Sequence, residues 1–223
     1  MWGIITWAPK RHGRWDPAEF FATGEQDVEW LMSCANLLGL PRERSLALDF
    51  GCGIGRLTRP LATHFENYVG VDISEPMLAQ AREWNRDCGH CRFVLNTTGD
   101  LRAFESGSVD LIYSRHVLQH LPSTNLIESY LREFVRILRR EGLLVFQLPT
   151  RIGLLHRIQP RRRIYTLLRN LGVSEHLLLE KLELMPMEMR ALSEPRVRAV
   201  LNSLGATIVR ADHHSDHVYF VTR

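Results

Sequence analysis

The stretch Leu48-Asp49-Phe50 runs without interruption into Gly51-Cys52-Gly53-Ile54-Gly55-Arg56, and Leu57, Leu61 and Phe65 then recur at helical spacing. A strand that enters a helix through alternating glycines leaves few folds open. Glycine turns the backbone tightly and lets a ligand approach it where a Cβ would stand in the way. Further apolar runs of strand length follow at 68–72, 91–95, 109–114 and 143–148, after a first run at 45–50. Helical patterns fill several of the gaps, one after Ser74-Glu75-Pro76 and one from about 124 to 139. Strands alternating with helices predict a parallel sheet wrapped on both faces. Two last strand-like runs, 206–211 and 217–222, are close enough for a hairpin, and Ser193-Glu194-Pro195 opens the helix before them.

With 223 residues the chain has room for one α/β domain and a small addition. Hydrophobic residues at 45% and charged residues at 24% exclude wholesale disorder, and a net charge of +3 excludes a chain that binds polyanions as a whole. No apolar run is long enough to span a membrane, and the first residues lack the basic-then-apolar order of a secretion signal, so a cytoplasmic protein is expected. Four cysteines, Cys34, Cys52, Cys88 and Cys91, are not expected to form a disulfide framework. The oligomeric state is not legible.

Asp72 ends the strand after the glycine turn, at the separation expected of an acid that holds ribose hydroxyls. A dinucleotide site needs Gly-x-Gly-x-x-Gly, but here Arg56 stands in the third position and Gly55 one place early. With Asp49 before the turn, this resembles the first motif of class I S-adenosylmethionine-dependent methyltransferases. The segment 69–78, Thr98-Gly99-Asp100-Leu101, the segment 108–114 and the segment 134–145 resemble the family's later motifs in order. The resemblance implies a doubly wound, mostly parallel seven-stranded sheet with the last strand antiparallel, and S-adenosylmethionine as cofactor. It implies that Gly51 and Gly53 flank the methionyl part, with Cys52 and Gly55 in the same turn and Asp49 just before it, and that Asp72 binds the ribose. Ile73 and Met77 would pack on adenine, Asp100 would accept from its amine, Leu101 would contribute backbone, and Gly99 and Ser114 would border the cofactor. Arg56 either reaches the methionyl carboxylate or is a solvated surface arginine.

His116 and His120 follow the fourth strand, where an acceptor must meet the methyl group. Their spacing puts both rings on one helical face if a turn forms, and either could take a proton or simply pack. Cys88-Gly89-His90-Cys91 is read as an ordinary turn, because redox use needs the first cysteine at a helix N-terminus and zinc needs further ligands. No metal site is expected, and His213, His214 and His217 are read as solvated.

Arginine-rich residues 151–170 hold six arginines and no acid, so the rest of the chain is net negative. They can be a solvated face, a dock for acidic substrates or nucleic acid, or a membrane-surface helix. The favoured reading is a helical lid over 150–192 with its apolar face inward and its arginines outward. Aromatics are not interleaved with the arginines, which argues against nucleic acid. The expected organisation is a leader and helix at 1–40, a cofactor core at 41–149, the lid at 150–192, and a closing helix and hairpin at 193–223. The leader around Trp15, Phe20 and Phe21 is expected to border the cofactor with the lid. Met185, Met187 and Met189 either face the acceptor or pack the insertion. The function expected is methyl transfer to an oxygen or nitrogen of a small molecule. The alternatives are an RNA-directed methyltransferase, or a silent nucleoside-binding protein that docks a partner through its arginines.

Overall fold

The computed structural model describes residues 16–151, 160–174, 176–182, 184, 189–212 and 217–223. Helix α1 (Pro17–Leu38) begins where Asp16 accepts a hydrogen bond from the Glu19 N–H at 3.1 Å, with proline in the first turn. It ends at Gly39, whose φ of 64° suits glycine alone at low cost. Phe20 and Phe21, expected in the leader, therefore belong to a helix. Thr23-Gly24 breaks the apolar stripe there and hid the helix from its periodicity. Trp15 lies outside the described residues.

Among the described residues seven strands follow: β1 (Leu46–Phe50), β2 (Asn67–Asp72), β3 (Cys91–Leu95), β4 (Val109–Ser114), β5 (Leu138–Gln147), β6 (Thr207–Asp212) and β7 (Val218–Thr222). They form one sheet in the order β3-β2-β1-β4-β5-β7-β6. The pairs among β1 to β5 are parallel, and β7 runs antiparallel to both of its neighbours. Strand alternation sends the apolar side chains to two faces. Leu48, Ile112, Leu144, Phe146 and Val221 pack beneath helices α4 (Thr124–Ile137) and α6 (Glu194–Ser203). Ala47, Leu111, Leu143, Val145 and Phe220 pack with Val28, Leu31 and Leu61, from α1 and the short α2 (Thr58–Ala62). A sheet apolar on both sides needs helices on both, which is what the run-and-gap pattern foretold.

Helix α4 is capped by Ser123, whose Oγ accepts from the Leu126 N–H at 3.1 Å. It passes directly into β5 at Leu138, so Arg139 lies in a strand and not at the end of a helix. The buried Asp110 explains the switch: one carboxylate oxygen accepts from Arg139 at 2.6 Å, and the other from the Ser45 and Leu46 N–H groups at 2.9 Å each. That carboxylate ties β4, β5 and the start of β1 together.

Helix α3 (Glu75–Trp84) leads to a turn in which Cys88 and Cys91 come within 5.4 Å between Cα atoms and are joined as a disulfide. The expectation of an ordinary turn is corrected, since closing the turn through the Cys91 N–H to the Cys88 carbonyl at 3.1 Å brings the two side chains together. Beyond β5 come α5 (Pro160–Asn170) and one π-helical turn, Leu177–Lys181. The apolar side of α5 does not turn inward as expected: Ile164, Leu167 and Leu171 are exposed. His213 and His214 lie outside the described residues. His217 is half-buried with its Nε2 3.5 Å from Thr150 Oγ1, so it is not simply solvated.

Candidate functional site at the carboxyl ends of the strands

The Gly51 and Cys52 N–H groups both donate to the Val71 carbonyl, at 2.7 and 3.1 Å, so the turn leaves β1 by folding over β2. Asp72, at the end of β2, accepts from the Gly53 N–H with one oxygen at 2.8 Å and from the Ser74 N–H with the other at 2.9 Å. One carboxylate thus sets the glycine turn and the entry to α3. Each oxygen keeps a lone pair for another donor.

The three glycines are needed for different reasons. Gly51 has φ 81°, and a Cβ there would lie 2.2 Å from Val117 Cγ2, where the loop after β4 crosses the turn. Gly53 has φ 56° and open space, with Met77 Sδ nearest at 4.0 Å. Gly55 has φ 80° and packs so close to Asn85 and Thr58 that a Cβ would clash with both. Cys52 is buried, its sulfur 2.8 Å from where a Cβ of Gly70 would stand, so its side chain packs the sheet. Burial pushes its thiol well above the usual range.

Asp49 lies beneath the turn, 2% exposed, and accepts from the Tyr68 hydroxyl at 3.1 Å. Burial raises its carboxyl to about 7, against the pull of Tyr68 and Arg56. Ser114 is buried as well and donates from Oγ to the Phe50 carbonyl at 3.2 Å, joining the ends of β4 and β1.

At the β2–β3 side Ile73 is 73% exposed, an apolar side chain held at the strand ends. Asp100 is bound by Arg102 through two contacts of 3.0 Å and by Thr98 Oγ1 at 3.2 Å. The hydrogen bonds from Arg102 hold its carboxyl down at about 2. Leu101 differs from expectation. Its N–H donates to Glu133 Oε2 at 2.8 Å and its carbonyl accepts from Arg136 at 3.0 Å, so both backbone groups are already engaged by α4. Glu133 itself went unread in the sequence, because on α4 it looks like any polar residue of an amphipathic helix. Beside Asp100, a Cβ on Gly99 would lie 3.2 Å from Leu126 Cδ1.

Asp27 of α1 also went unread. Its carboxylate binds Arg56 at 2.7 Å and also pairs with Arg115, just beyond β4. The Arg115 guanidinium sits 6.0 Å from the Trp30 ring centre. Arg56 is buried, with a further contact to Thr23 Oγ1 at 3.3 Å, which removes the solvated-surface alternative. A Cβ on Gly24 would lie 2.3 Å from the Arg56 carbonyl oxygen. Gly24 is therefore what lets α1 lie directly on the turn. Its lone signal in the sequence was a glycine inside a helix.

His116 has φ 60°, and its N–H donates to Gln147 Oε1 at 2.9 Å. His120 closes a single 3-10 turn, Leu118–His120, with its N–H on the Val117 carbonyl at 2.9 Å. The two rings therefore do not share an α-helical face, because the left-handed residue at 116 precedes the turn. The Arg190 N–H donates to the Gln119 carbonyl at 2.7 Å, and its Nε to the Leu121 carbonyl at 3.1 Å. The Leu192 N–H reaches the Pro149 carbonyl at 3.1 Å. Met189 is half-buried, while Met185 and Met187 lie outside the described residues.

Among the described residues one group could gather round a metal ion: Cys88, His90 and Cys91, with ligand atoms within 4.8 Å of one another. Two of the three are the sulfurs of the disulfide.

The glycine turn, the Asp72 carboxylate and the loop crossing above them meet at the carboxyl ends of the strands, where ligands bind in open α/β sheets. Residues 48–146 match the methyltransferase domain family. Trans-aconitate 2-methyltransferase of Deinococcus radiodurans is 31% identical over 147 residues, which are 65% of this chain and 50% of that protein. Phosphoethanolamine N-methyltransferase 2 of Caenorhabditis elegans is 38% identical over 84 residues, 37% of this chain and 19% of that protein. The chain spans about half the length, or less, of these curated relatives. Magnesium protoporphyrin IX methyltransferase of Synechocystis, solved with bound S-adenosylhomocysteine, shares the fold at a TM-score of 0.62 and 19% identity, covering 96% of this chain and 90% of that one. Residues 48–146 are thus similar to methyltransferase domains, and the fold is the one shared by S-adenosylmethionine-dependent methyltransferases of known structure.

Proposed function

We propose that the protein binds S-adenosylmethionine over the glycine turn and moves its methyl group to an oxygen or nitrogen of a small molecule. The observation that carries this reading is the Asp72 carboxylate, which fixes the Gly53 and Ser74 N–H groups and keeps a lone pair on each oxygen for ribose hydroxyls. Open space over Gly53 suits the methionyl chain, and the exposed Ile73 suits an adenine face. Asp100, held ionised by Arg102, is the acceptor assigned to the adenine amine. Leu101 keeps only a packing role there, because Glu133 takes its N–H. Arg56 acts through Asp27, holding α1 against the turn.

The cofactor's sulfonium supplies a methyl group that is already activated. The chain's own work is then to align the acceptor and exclude water. His116 is the candidate base on the acceptor side. Gln147 holds it in left-handed backbone, a conformation that functional positions often carry. At neutral pH an imidazole nitrogen can take the proton from a hydroxyl acceptor. His120, in the next turn, is the second candidate. The segment 150–192 is assigned as the lid, anchored at its end by Arg190 and Leu192. The names of the relatives, which act on trans-aconitate and phosphoethanolamine, favour a small acceptor.

Calorimetry with S-adenosylmethionine and S-adenosylhomocysteine tests the cofactor. Asp72→Ala is expected to weaken both by roughly 100-fold, as loss of charge-assisted hydrogen bonds implies. Binding of neither by the unmodified chain, with tight binding of NADH instead, refutes the reading. Deuterated donor with cell extract, followed by mass spectrometry, tests the acceptor: label in RNA or protein alone refutes a small molecule.

A further inference from the structure

Scattered apolar side chains on a surface are ordinary, but a concentration of them marks an interaction site. Of the ten large apolar residues exposed among the described residues, five fall within 164–182: Ile164, Leu167, Leu171, Leu177 and Leu182. The first three lie at i, i+3 and i+7, so they form one stripe along α5 and its last turn. Leu167 is 60% exposed and Leu171 71%. On the same helix Arg162, Arg163 and Arg169 are exposed, within a segment that holds six arginines and no acid.

The occupant of such a face must take up leucine side chains and balance positive charge at once. We infer that it docks on a bilayer surface carrying anionic lipids. A bilayer satisfies both demands, since the stripe enters the acyl boundary while the arginines meet phosphate headgroups. A polyanion such as RNA satisfies only the second and leaves the leucines in water. Stacking of bases also needs aromatic side chains, and α5 has one, the half-buried Tyr165. No described helix is long and apolar enough to cross a membrane, so the contact lies in the plane of the surface. Glu175, Glu180 and Glu183 follow the basic stretch in sequence, so α5 leads the contact. The inference does not depend on the methyl-transfer reading.

Flotation of the full chain with phosphatidylcholine vesicles, with and without phosphatidylglycerol, is the test. The chain is expected to float with phosphatidylglycerol vesicles and to be released as salt rises. Leu167→Glu and, separately, Leu171→Glu are expected to lower the partition about tenfold. Arg163→Glu combined with Arg169→Glu is expected to lower it at least as much. These exposed sites should leave the urea midpoint in place, and far-ultraviolet circular dichroism checks that each variant is folded. Failure to float with anionic vesicles overturns the inference. So does flotation that both leucine variants retain in full, which reduces the face to simple electrostatics. Binding to single-stranded RNA without any flotation overturns it in favour of a nucleic-acid surface.

Discussion

Asp49→Asn removes one buried charge and little else. The side chain is 2% exposed, its carboxyl is raised by burial to about 7, and asparagine can still accept from the Tyr68 hydroxyl. In the unfolded chain an aspartate has lost its proton above about pH 4. Between about pH 4 and 7 the folded protein therefore holds a proton that the unfolded chain releases. Stability falls with rising pH through that window and levels off above it. The slope is about 1.4 kcal/mol per pH unit, so the full window costs about 4 kcal/mol as an upper bound. Relaxation around a buried ion reduces this, and about 2–4 kcal/mol remains. The asparagine variant does not titrate here and escapes the cost. Urea unfolding of both proteins, without ligand, at pH 5, 6, 7 and 8 is the assay. The variant should gain on the native chain as pH rises, and the gap should stop widening above pH 7. A gap that is the same at pH 5 and pH 8 would show that Asp49 is ionised throughout and would refute the reasoning.

Two further substitutions probe how the site is held. Gly51→Ala forces a Cβ to within 2.2 Å of Val117 at φ 81°, and should cost roughly 2–5 kcal/mol in urea unfolding. Adding Val117→Ala should recover the steric share and leave the backbone share. Asp27→Asn leaves Arg56 and Arg115 without their shared carboxylate and should cost about 3 kcal/mol at pH 7 by the same measurement. Arg115→Gln alone should cost less, because Arg56 keeps Asp27.

The strands were legible because each is a short apolar run bounded by turn residues, and burial on both faces of a sheet writes itself into such runs. Asp72 and the glycines were legible because a turn's chemistry is local. Asp27, Glu133 and Gln147 were not, since each acts on a partner distant in sequence, and a polar residue on a helix or at a strand end carries no local mark of its partner. The end of α4 was misread for a related reason. Leu138-Arg139 continues the helical pattern, and the carboxylate that draws Arg139 into β5 belongs to β4. The left-handed backbone at His116 likewise depends on Gln147, so the helical face assumed for the two histidines had no local contradiction.

The position of β7 between β5 and β6 makes the order of assembly differ from the order of synthesis. A ribosome makes β6 before β7, yet β6 joins the sheet through β7 and has no place until that strand is in. Until then β5 presents an unpaired edge, with Phe146 and Leu144 on it. Such an edge is a template for pairing with another chain. The nascent protein therefore carries this edge until β7 has been made, after the other six strands of the sheet. Closing the sheet is a long-range pairing, slow by its topology. Substitutions in β7 should act on yield in the cell more strongly than their effect on the finished fold implies.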